Sequence, residues 1–213
     1  MSSVENLDHE AVLEAAWADG GNTAITLPSV DVNAVLLARY DLDREFAFTK
    51  RTLWDMEVRK AAEPDFYIPT VVEPHSAEKF PSVWHGRFED FTRVSEQRLW
   101  LDKDTYGTVI EHVRLDHDNQ RAFFIGALDL TTPDGRSITA GTGQPIFHVE
   151  HSVAGTEDAP LNLWRIVLLT DRPDPALVTA FGQAERDGYL RVFVEVYLRE
   201  TVGRDLRRKP VPA

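Results

Sequence analysis

Four apolar runs follow one another between residues 106 and 170, and they constrain the fold more than any other feature of the sequence. The runs are Thr108–Leu115, Ala122–Thr131, Ile146–Val153 and Leu161–Thr170. Charged links, or links with Gly and Pro, separate them, and one link holds the turn sequence Pro133-Asp134-Gly135. Short β-branched and aromatic runs between turn signals are typical of consecutive antiparallel strands. The sequence therefore predicts an antiparallel sheet.

The alternation of side chains divides each predicted strand into two faces. One face of the first and third runs is mainly apolar and is predicted to point inward, with Val109, Val113, Leu115, Phe147 and Val149. The same face holds two ionisable residues, Glu111 and His151. The opposite face is predicted to be a solvated, cross-paired surface with His112, Arg114, Asp116, His148, Glu150 and Arg165.

The composition excludes several classes of protein. The chain has 213 residues, 43% hydrophobic and 27% charged, the balance of a globular domain that buries a sizeable core. No cysteine is present, which excludes disulfides, thiolate metal sites and cysteine nucleophiles. The net charge of −12 argues against nucleic acid or an anionic membrane as a partner. Because no run has the length of a spanning helix and the N-terminus lacks the pattern of a signal peptide, we expect a cytoplasmic protein.

The order of the predicted elements indicates one α+β domain. The expected parts are a mainly helical segment (1–62), an antiparallel sheet of about 5–6 strands (66–170), a C-terminal helix pair (173–203) and a basic mobile tail (204–213). A helix with Asp8 as its N-cap, ended by Gly20-Gly21, is predicted first. A longer helix is predicted from Asp41 or Asp43 to about Ala62. We expect a curved, roll-like or cone-like sheet with a pocket between the sheet and the helices.

Helices followed by a run of antiparallel strands are similar in order to two known arrangements. One is the cone of nuclear-transport-factor-2-like proteins, and the other is the hot-dog fold, in which a sheet wraps one long helix. No sequence motif of either family is present, and the predicted C-terminal helix pair is a departure from both.

The motifs of common cofactor and catalytic sites are absent. The sequence has no G-x-G-x-x-G or Walker-type loop, so we predict no bound dinucleotide or nucleoside triphosphate and no cofactor. It also has no G-x-S-x-G motif and no β-α-β alternation, which argues against an α/β-hydrolase.

Glu111 and His151 are the candidate catalytic residues. A carboxylate among apolar neighbours has a raised pKa, and a nearby imidazole can exchange protons with it. Such a pair suits general acid–base catalysis near neutral pH, and the alternative is a hydrogen-bonded structural pair. The candidate substrate-binding residues are Trp54, Tyr67, Trp84, His85 and Trp164. Residues of this type are also common in a plain hydrophobic core.

Two further sets of polar residues are ambiguous. His112, His148 and Glu150 share the outer face and are the fallback ligands for a single Zn²⁺ or Fe²⁺, although a solvated surface cluster is favoured over a metal site. Lys50 and Glu57 project into the apolar face of the long predicted helix. We favour snorkelling at the edge of that face over a polar pair that lines a cavity.

The function hypotheses come from three classes. The first is a cofactor-independent lyase or isomerase that performs isomerisation, dehydration or cyclisation on a small apolar or aromatic molecule in the pocket. The second is a non-catalytic ligand-binding protein, or a homodimer formed through an apolar sheet face. The third, less favoured, is a mononuclear metalloenzyme that uses the strand His and Glu ligands.

Overall fold

A computed structural model describes residues 7–184 and 189–210. Its helices are α1 (His9–Ala18), α2 (Val32–Arg39), α3 (Lys50–Ala62), α4 (Pro64–Tyr67), α5 (Pro175–Ala184) and α6 (Val192–Val196). A π-helical turn, Tyr197–Thr201, continues directly from α6. Within the residues described, no helix has both the length and the apolar composition needed to cross a membrane.

Most of the strands belong to one large antiparallel sheet. In chain order the strands are β1 (Thr23–Thr26), β2 (Val30–Asp31), β3 (Tyr40–Leu42), β4 (Glu78–Lys79), β5 (Val83–His85), β6 (Phe88–Arg98), β7 (Tyr106–Asp116), β8 (Arg121–Ala127), β9 (Asp129–Thr131), β10 (Ser137–Thr139), β11 (Phe147–Gly155), β12 (Pro160–Leu168) and β13 (Leu206–Arg208). The main sheet runs β1-β12-β11-β8-β7-β6-β4, with β2 also on β12 and β5 also on β6. The predicted α+β class with an antiparallel sheet is confirmed, with more strands than expected.

The inner face of the sheet packs against helix α3 and the C-terminal helical segment. Val113 of β7, Val149 of β11 and Ile166 of β12 belong to the same buried cluster as Leu53 of α3 and Phe193 of α6. The assignment of faces from the alternation of side chains is confirmed for β7 and β11, because their predicted inner apolar residues all lie in this cluster. The sheet thus encloses α3 on the side where Glu111 and His151 point.

The outer face is not the solvated surface that the sequence predicts, because helix α1 packs across it. Leu13 of α1 is fully buried against Phe123 and Ile125 of β8. Asp8 accepts a hydrogen bond from the amide of Ala11 and is the predicted N-cap. His148 and Glu150 are consequently buried on the outer side of the sheet.

The long predicted helix begins later in the chain than expected. Thr49 is its N-cap, and a capping box with Thr52 fixes the start of α3 at Lys50. The segment before it contributes the short strand Tyr40–Leu42 instead of helix. Local hydrogen bonds by two threonines therefore outweigh the earlier Asp41 and Asp43 as helix starts.

The basic C-terminal segment was expected to be mobile, but part of it forms a strand. Strand β13 (Leu206–Arg208) pairs antiparallel with β3 (Tyr40–Leu42), and Leu206 is buried. Arg208 also bonds the carboxylate of Glu195 through its Nε, with an N–O distance of 2.7 Å. Residues 211–213 of the expected tail, and residues 185–188 within the predicted helix pair, lie outside the described residues.

Candidate functional site

A cavity of about 410 Å³ lies between the inner face of the sheet, the start of α6 and the segment after α4. Its walls are mainly apolar and aromatic, formed by Leu27, Ile68, Val71, Trp100, Phe124, Phe147, Val149, Trp164, Ile166, Phe181, Tyr189, Leu190, Val192 and Phe193. The polar residues that line it are Thr70, Arg93, Gln97, Glu111, His151, Arg191 and Arg208. The predicted pocket between sheet and helices is therefore present, and both candidate catalytic residues line it.

His151 lines the cavity from β11 and is held from behind by helix α3. Its Nδ1 lies 2.7 Å from Nζ of Lys60 and 3.0 Å from Oε2 of Glu57. Lys60 also bonds Oε2 of Glu57, and Asn162 donates to Oε1 of the same carboxylate at 2.8 Å. The imidazole ring stacks on Trp164 with a centroid separation of 4.0 Å and an interplanar angle of 8°. These contacts fix the ring in one orientation.

Burial and mutual charge shift the pKa values of this cluster. Burial, assisted by the Lys60 ammonium, lowers the pKa of His151 to about 3 despite the opposing effect of Glu57. Burial also lowers the pKa of Lys60 to about 8, although the Glu57 carboxylate opposes the shift. Burial by itself raises the pKa of Glu57, but Lys60 and His151 outweigh it and hold that pKa below its usual value. At neutral pH the cluster is an ion pair with a neutral imidazole.

Glu111 belongs to a second buried cluster, on β6 and β7. Arg93 lies directly opposite Glu111 in the β6–β7 ladder and donates from Nε to Oε2 at 2.8 Å. Gln97 donates to the same oxygen at 3.2 Å. Arg93 also donates to the carbonyl oxygen of Ala61 at the end of α3, at 2.8 Å. An opposite-charge cross-strand pair thus anchors the helix to the sheet beside the cavity.

Each cluster leaves one polar atom uncommitted at the cavity. Within the described chain, Nε2 of His151 and Oε1 of Glu111 have no hydrogen-bond partner, whereas Nδ1 and Oε2 of the same side chains do. Neither uncommitted atom is among the fully buried, unpaired atoms of the described residues. Both side chains line the cavity, so these atoms are among the polar groups that a ligand can contact there.

The direct proton exchange expected between Glu111 and His151 does not fit their positions. In the register, Glu111 is opposite Gly126 of β8, whereas His151 is opposite Ala122, four residues along the same strand. Two strand spacings and four residues separate their backbones by roughly 15 Å. Each side chain also has its own hydrogen-bond partners. The two residues can act together only through a ligand that spans part of the cavity.

Of the five residues predicted to bind substrate, Trp164 is in the cavity wall and four lie elsewhere. Trp54 donates from Nε1 to Nδ1 of His117 at 3.3 Å, and the exposed Trp84 stacks on the same His117. Tyr67 is buried, with its hydroxyl 2.8 Å from Oγ1 of Thr201. His85 is exposed on β5. Aromatic composition alone did not distinguish the cavity wall from the rest of the core and the surface.

The fallback metal ligands are not assembled into a metal site. Across residues 7–184 and 189–210, no group of three or more His, Asp or Glu side chains is arranged to hold a metal ion. Glu150 instead bonds Arg121 and Arg165, and His112 lies 2.9 Å from Oγ1 of Thr92. His148 accepts a hydrogen bond from the amide of Gly126.

Several residues of the site were not predicted from the sequence. Glu57 is fully buried, so the favoured interpretation of snorkelling is wrong for it, and its partner is Lys60 rather than Lys50. The sequence feature that could have identified this pair is the Glu57-x-x-Lys60 spacing, which places two opposite charges on one side of a helix. Arg93 also had a signal, since it lies on the same strand face as Phe91.

This chain aligns with solved structures of known proteins, but not with curated protein sequences. No protein-family model and no curated protein sequence matches the chain. The Zhui aromatase/cyclase from a Streptomyces species aligns with a TM-score of 0.48 and 11% identity over 85% of this chain and 97% of that chain. Ara h 8.0201 aligns with a TM-score of 0.46 and 9% identity over 81% of this chain and 95% of that chain. The di-domain ARO/CYC StfQ from the steffimycin biosynthetic pathway aligns with a TM-score of 0.46 and 16% identity over 83% of this chain and 45% of that chain. At these identities and scores, the function has to be argued from the site itself.

Proposed function

We propose that this protein binds a small, largely apolar molecule with an aromatic ring system in the cavity beneath the sheet. The observation that carries the proposal is the cavity of about 410 Å³, whose lining is mainly apolar and includes seven polar residues. Ligand sites in proteins typically have volumes of about 300–1,000 Å³ with this balance of walls and polar groups. Aromatic rings, among them the stacked pair His151 and Trp164, form part of the wall and suit an aromatic ligand.

The test is binding of the fluorescent probe 8-anilinonaphthalene-1-sulfonate to the native protein. We expect saturable binding with one probe per chain. Val149→Phe, which adds volume to the cavity wall, should weaken the affinity about tenfold or more, because the larger side chain fills space that the probe needs. The matched control is Leu128→Phe, an addition of similar size at a largely exposed position, which should bind like the wild type.

Near-UV circular dichroism has to show native packing in both variants, because the probe also binds loosely packed states. Equal affinities in the wild type and in natively packed Val149→Phe, or no binding by the wild type, would remove the proposal.

A second proposal, favoured by the two uncommitted atoms, is acid–base catalysis of the isomerase, dehydratase or cyclase type. Oε1 of Glu111 would take a proton from the ligand, while His151 holds an oxygen of the ligand at the other end of the cavity. A conjugated ligand between them carries the charge from the broken C–H bond to that oxygen. The proton returns from Glu111 to a different carbon for isomerisation, or to the same carbon for simple exchange.

The probe for this second proposal is 4-methylcoumarin, whose methyl protons are acidic through conjugation with its carbonyl group. In deuterated water, the wild type should speed the exchange of these protons, measured by proton NMR. Glu111→Gln should keep the fold and lose the acceleration, because an amide oxygen is a far weaker base than a carboxylate. Exchange at the same rate in Glu111→Gln, or at the buffer rate in the wild type, would contradict it.

A further inference from the structure

The environment of His151 determines which of its two ring nitrogens carries the hydrogen. Nδ1 faces both Nζ of Lys60, at 2.7 Å, and Oε2 of Glu57, at 3.0 Å. A protonated Lys60 requires Nδ1 to accept, whereas a neutral Lys60 allows Nδ1 to donate to Glu57. The position of a single proton in this cluster therefore decides what Nε2 presents to the cavity.

Physical chemistry places that proton on Lys60. The side chains of Glu57 and Lys60 are almost completely buried, so the cluster strongly favours zero net charge. With Glu57 ionised, the single positive charge can reside on the amine or on the imidazole. In water the amine is the stronger base by about 4 pK units. The ammonium is also stabilised by the face of the Phe193 ring, whose centroid lies 4.0 Å from Nζ.

The hydrogen of the neutral imidazole is then on Nε2. The ammonium of Lys60 donates one hydrogen bond to Glu57 and another to Nδ1 of His151. Nε2 is the uncommitted nitrogen at the cavity, so the ring offers the ligand an N–H group. The ring that carries it is flat against Trp164, which in turn stacks on Phe193 at a centroid separation of 5.8 Å.

We infer that Lys60 is a positioning residue that keeps His151 as a hydrogen-bond donor, and that the cavity selects aromatic ligands with a carbonyl-type acceptor oxygen. The inference rests on the proposed binding function and adds the chemical class of the ligand. An aromatic body lies against the apolar walls of the cavity, and its oxygen accepts from Nε2 of His151. A ligand of the same shape without the oxygen leaves this donor unpaired in an apolar cavity, which is unfavourable.

The first experiment uses the wild-type protein without ligand. Nitrogen-15 NMR of the histidine side chains distinguishes a protonated from an unprotonated ring nitrogen. We expect His151 to be neutral at pH 7, with its hydrogen on Nε2. A hydrogen on Nδ1, or an imidazolium ring at pH 7, would overturn the inference.

The second experiment compares two probes of matched shape, 2-acetylnaphthalene and 2-isopropenylnaphthalene, which differ in whether the branch ends in oxygen or in a CH₂ group. The wild type should bind the ketone roughly three- to tenfold more tightly, the range expected for one hydrogen bond. His151→Phe keeps an aromatic ring at this position and has no N–H, so it should lose the preference for the ketone. A ketone preference that persists in His151→Phe would overturn the inference.

Lys60→Met separates a positioning role from a purely structural one. Without the ammonium, the hydrogen-bonded carboxylate of Glu57 raises the pKa of the ring, and of the opposing charges only the more weakly acting Arg191 remains. The pKa should therefore rise and the ring should titrate at accessible pH. The ketone preference should then be present while the ring is an imidazolium and disappear once it is neutral, because Nδ1 then donates to Glu57. His148 on the outer face is the internal control, and its titration should not change. An unchanged, neutral His151 in this variant would contradict the role of Lys60.

The outcomes distinguish this inference from the proposed function. If the wild type binds neither naphthalene nor the fluorescent probe, the proposed binding function fails. If it binds both naphthalenes with equal affinity, the binding function stands and the inference about the ligand class fails. The wild-type NMR experiment tests the tautomer in either case, including when Lys60→Met does not fold.

Discussion

The two faces of the sheet both bury charged groups, but they use them differently. On the outer face, Arg114 donates one hydrogen bond to each carboxylate oxygen of Asp90, with N–O distances of 2.8 and 2.6 Å. Glu150 bonds one arginine through each of its oxygens. On the inner face, Glu111 and His151 each keep one atom uncommitted beside a cavity. The carboxylates of Asp90 and Glu150 on the outer face are satisfied within the protein, whereas Glu111 and His151 on the inner face retain hydrogen-bonding capacity for a ligand.

The difference comes from what covers each face. Helix α1 lies on the outer face and buries Leu13 against the sheet. The inner face is covered by α3 and α6, but these helices leave a cavity between themselves and the strands. A buried polar atom without a partner is costly, so folded proteins keep few of them. The outer face also has such an atom, since Nε2 of His9 is buried without a partner among the described residues. What favours a ligand site on the inner face is therefore the combination of uncommitted atoms with a cavity.

The largest expected effect comes from breaking the inner ion pair. Glu57→Leu removes the carboxylate that Lys60, His151 and Asn162 all contact, and should lower the free energy of unfolding by about 3–5 kcal/mol. On the outer face, Glu150→Leu should cost less, about 1–2 kcal/mol, because its arginine partners are partly exposed and can be hydrated. Urea unfolding measures both values.

The double variant Glu57→Leu, Lys60→Met is the control for this interpretation. It replaces both charges by apolar groups of similar size, and should recover most of the stability lost in Glu57→Leu. A double variant as unstable as the single one would mean that shape, rather than the unpaired ammonium, accounts for the loss.

Much of the fold could be predicted from the sequence because strand alternation is a local property. Glu111 and His151 were placed on the inner face, and His112 and His148 on the outer face, from the apolar residues beside them. The burial of the outer face could not be predicted in this way. It depends on α1, which is far away in sequence and contributes few large apolar side chains, of which Leu13 is the main one.

The candidate site was predicted less completely than the fold. The sequence singled out Glu111 and His151, but it did not give their distance, which depends on the offset of β7 and β11 across β8. It also missed Lys60, because a lysine is expected at a surface unless its partner is known. The partner, Glu57, was noted without its i+3 neighbour. Burial of such a pair follows from tertiary packing and not from helix periodicity.

The second prediction concerns pH and compares the buried histidines of the two faces. Burial lowers the pKa of His9 to about 4 on the outer face and, with Lys60, that of His151 to about 3 on the inner face. Because the pKa of each histidine is lower in the folded than in the unfolded state, the stability contributed by the neutral histidine is fully present above the unfolded-state pKa of about 6.5. That contribution is lost as the pH falls through the folded-state pKa. Each histidine then contributes a slope of up to about 1.4 kcal/mol per pH unit between pH 6 and pH 4.

The His9→Asn variant distinguishes the contribution of the outer face to the pH dependence of stability from that of the inner face. Asparagine does not titrate, and it retains an N–H for the carbonyl oxygen of Leu7. Chemical unfolding at several pH values should show a shallower loss of stability than in the wild type. The groups around His9 are Asp90, Arg114 and His112, and His112 keeps its own lowered pKa in the variant. Identical slopes in both proteins would show that acid sensitivity does not come from His9.

The smallest change in the free energy of unfolding is expected for a substitution at the rim of the outer face, where Glu14 of α1 bonds Arg165 of β12. The hydrogen bond from Arg165 lowers the pKa of Glu14, but about half of the Glu14 side chain is exposed to solvent. Exposed ion pairs contribute about 0.2–1 kcal/mol and are screened by salt, so Glu14→Gln should change the unfolding free energy by no more than this. Probe binding in the cavity should be unchanged, since α1 lies on the other side of the sheet. A loss above about 1.5 kcal/mol would mean that α1 is held mainly by charge rather than by the burial of Leu13.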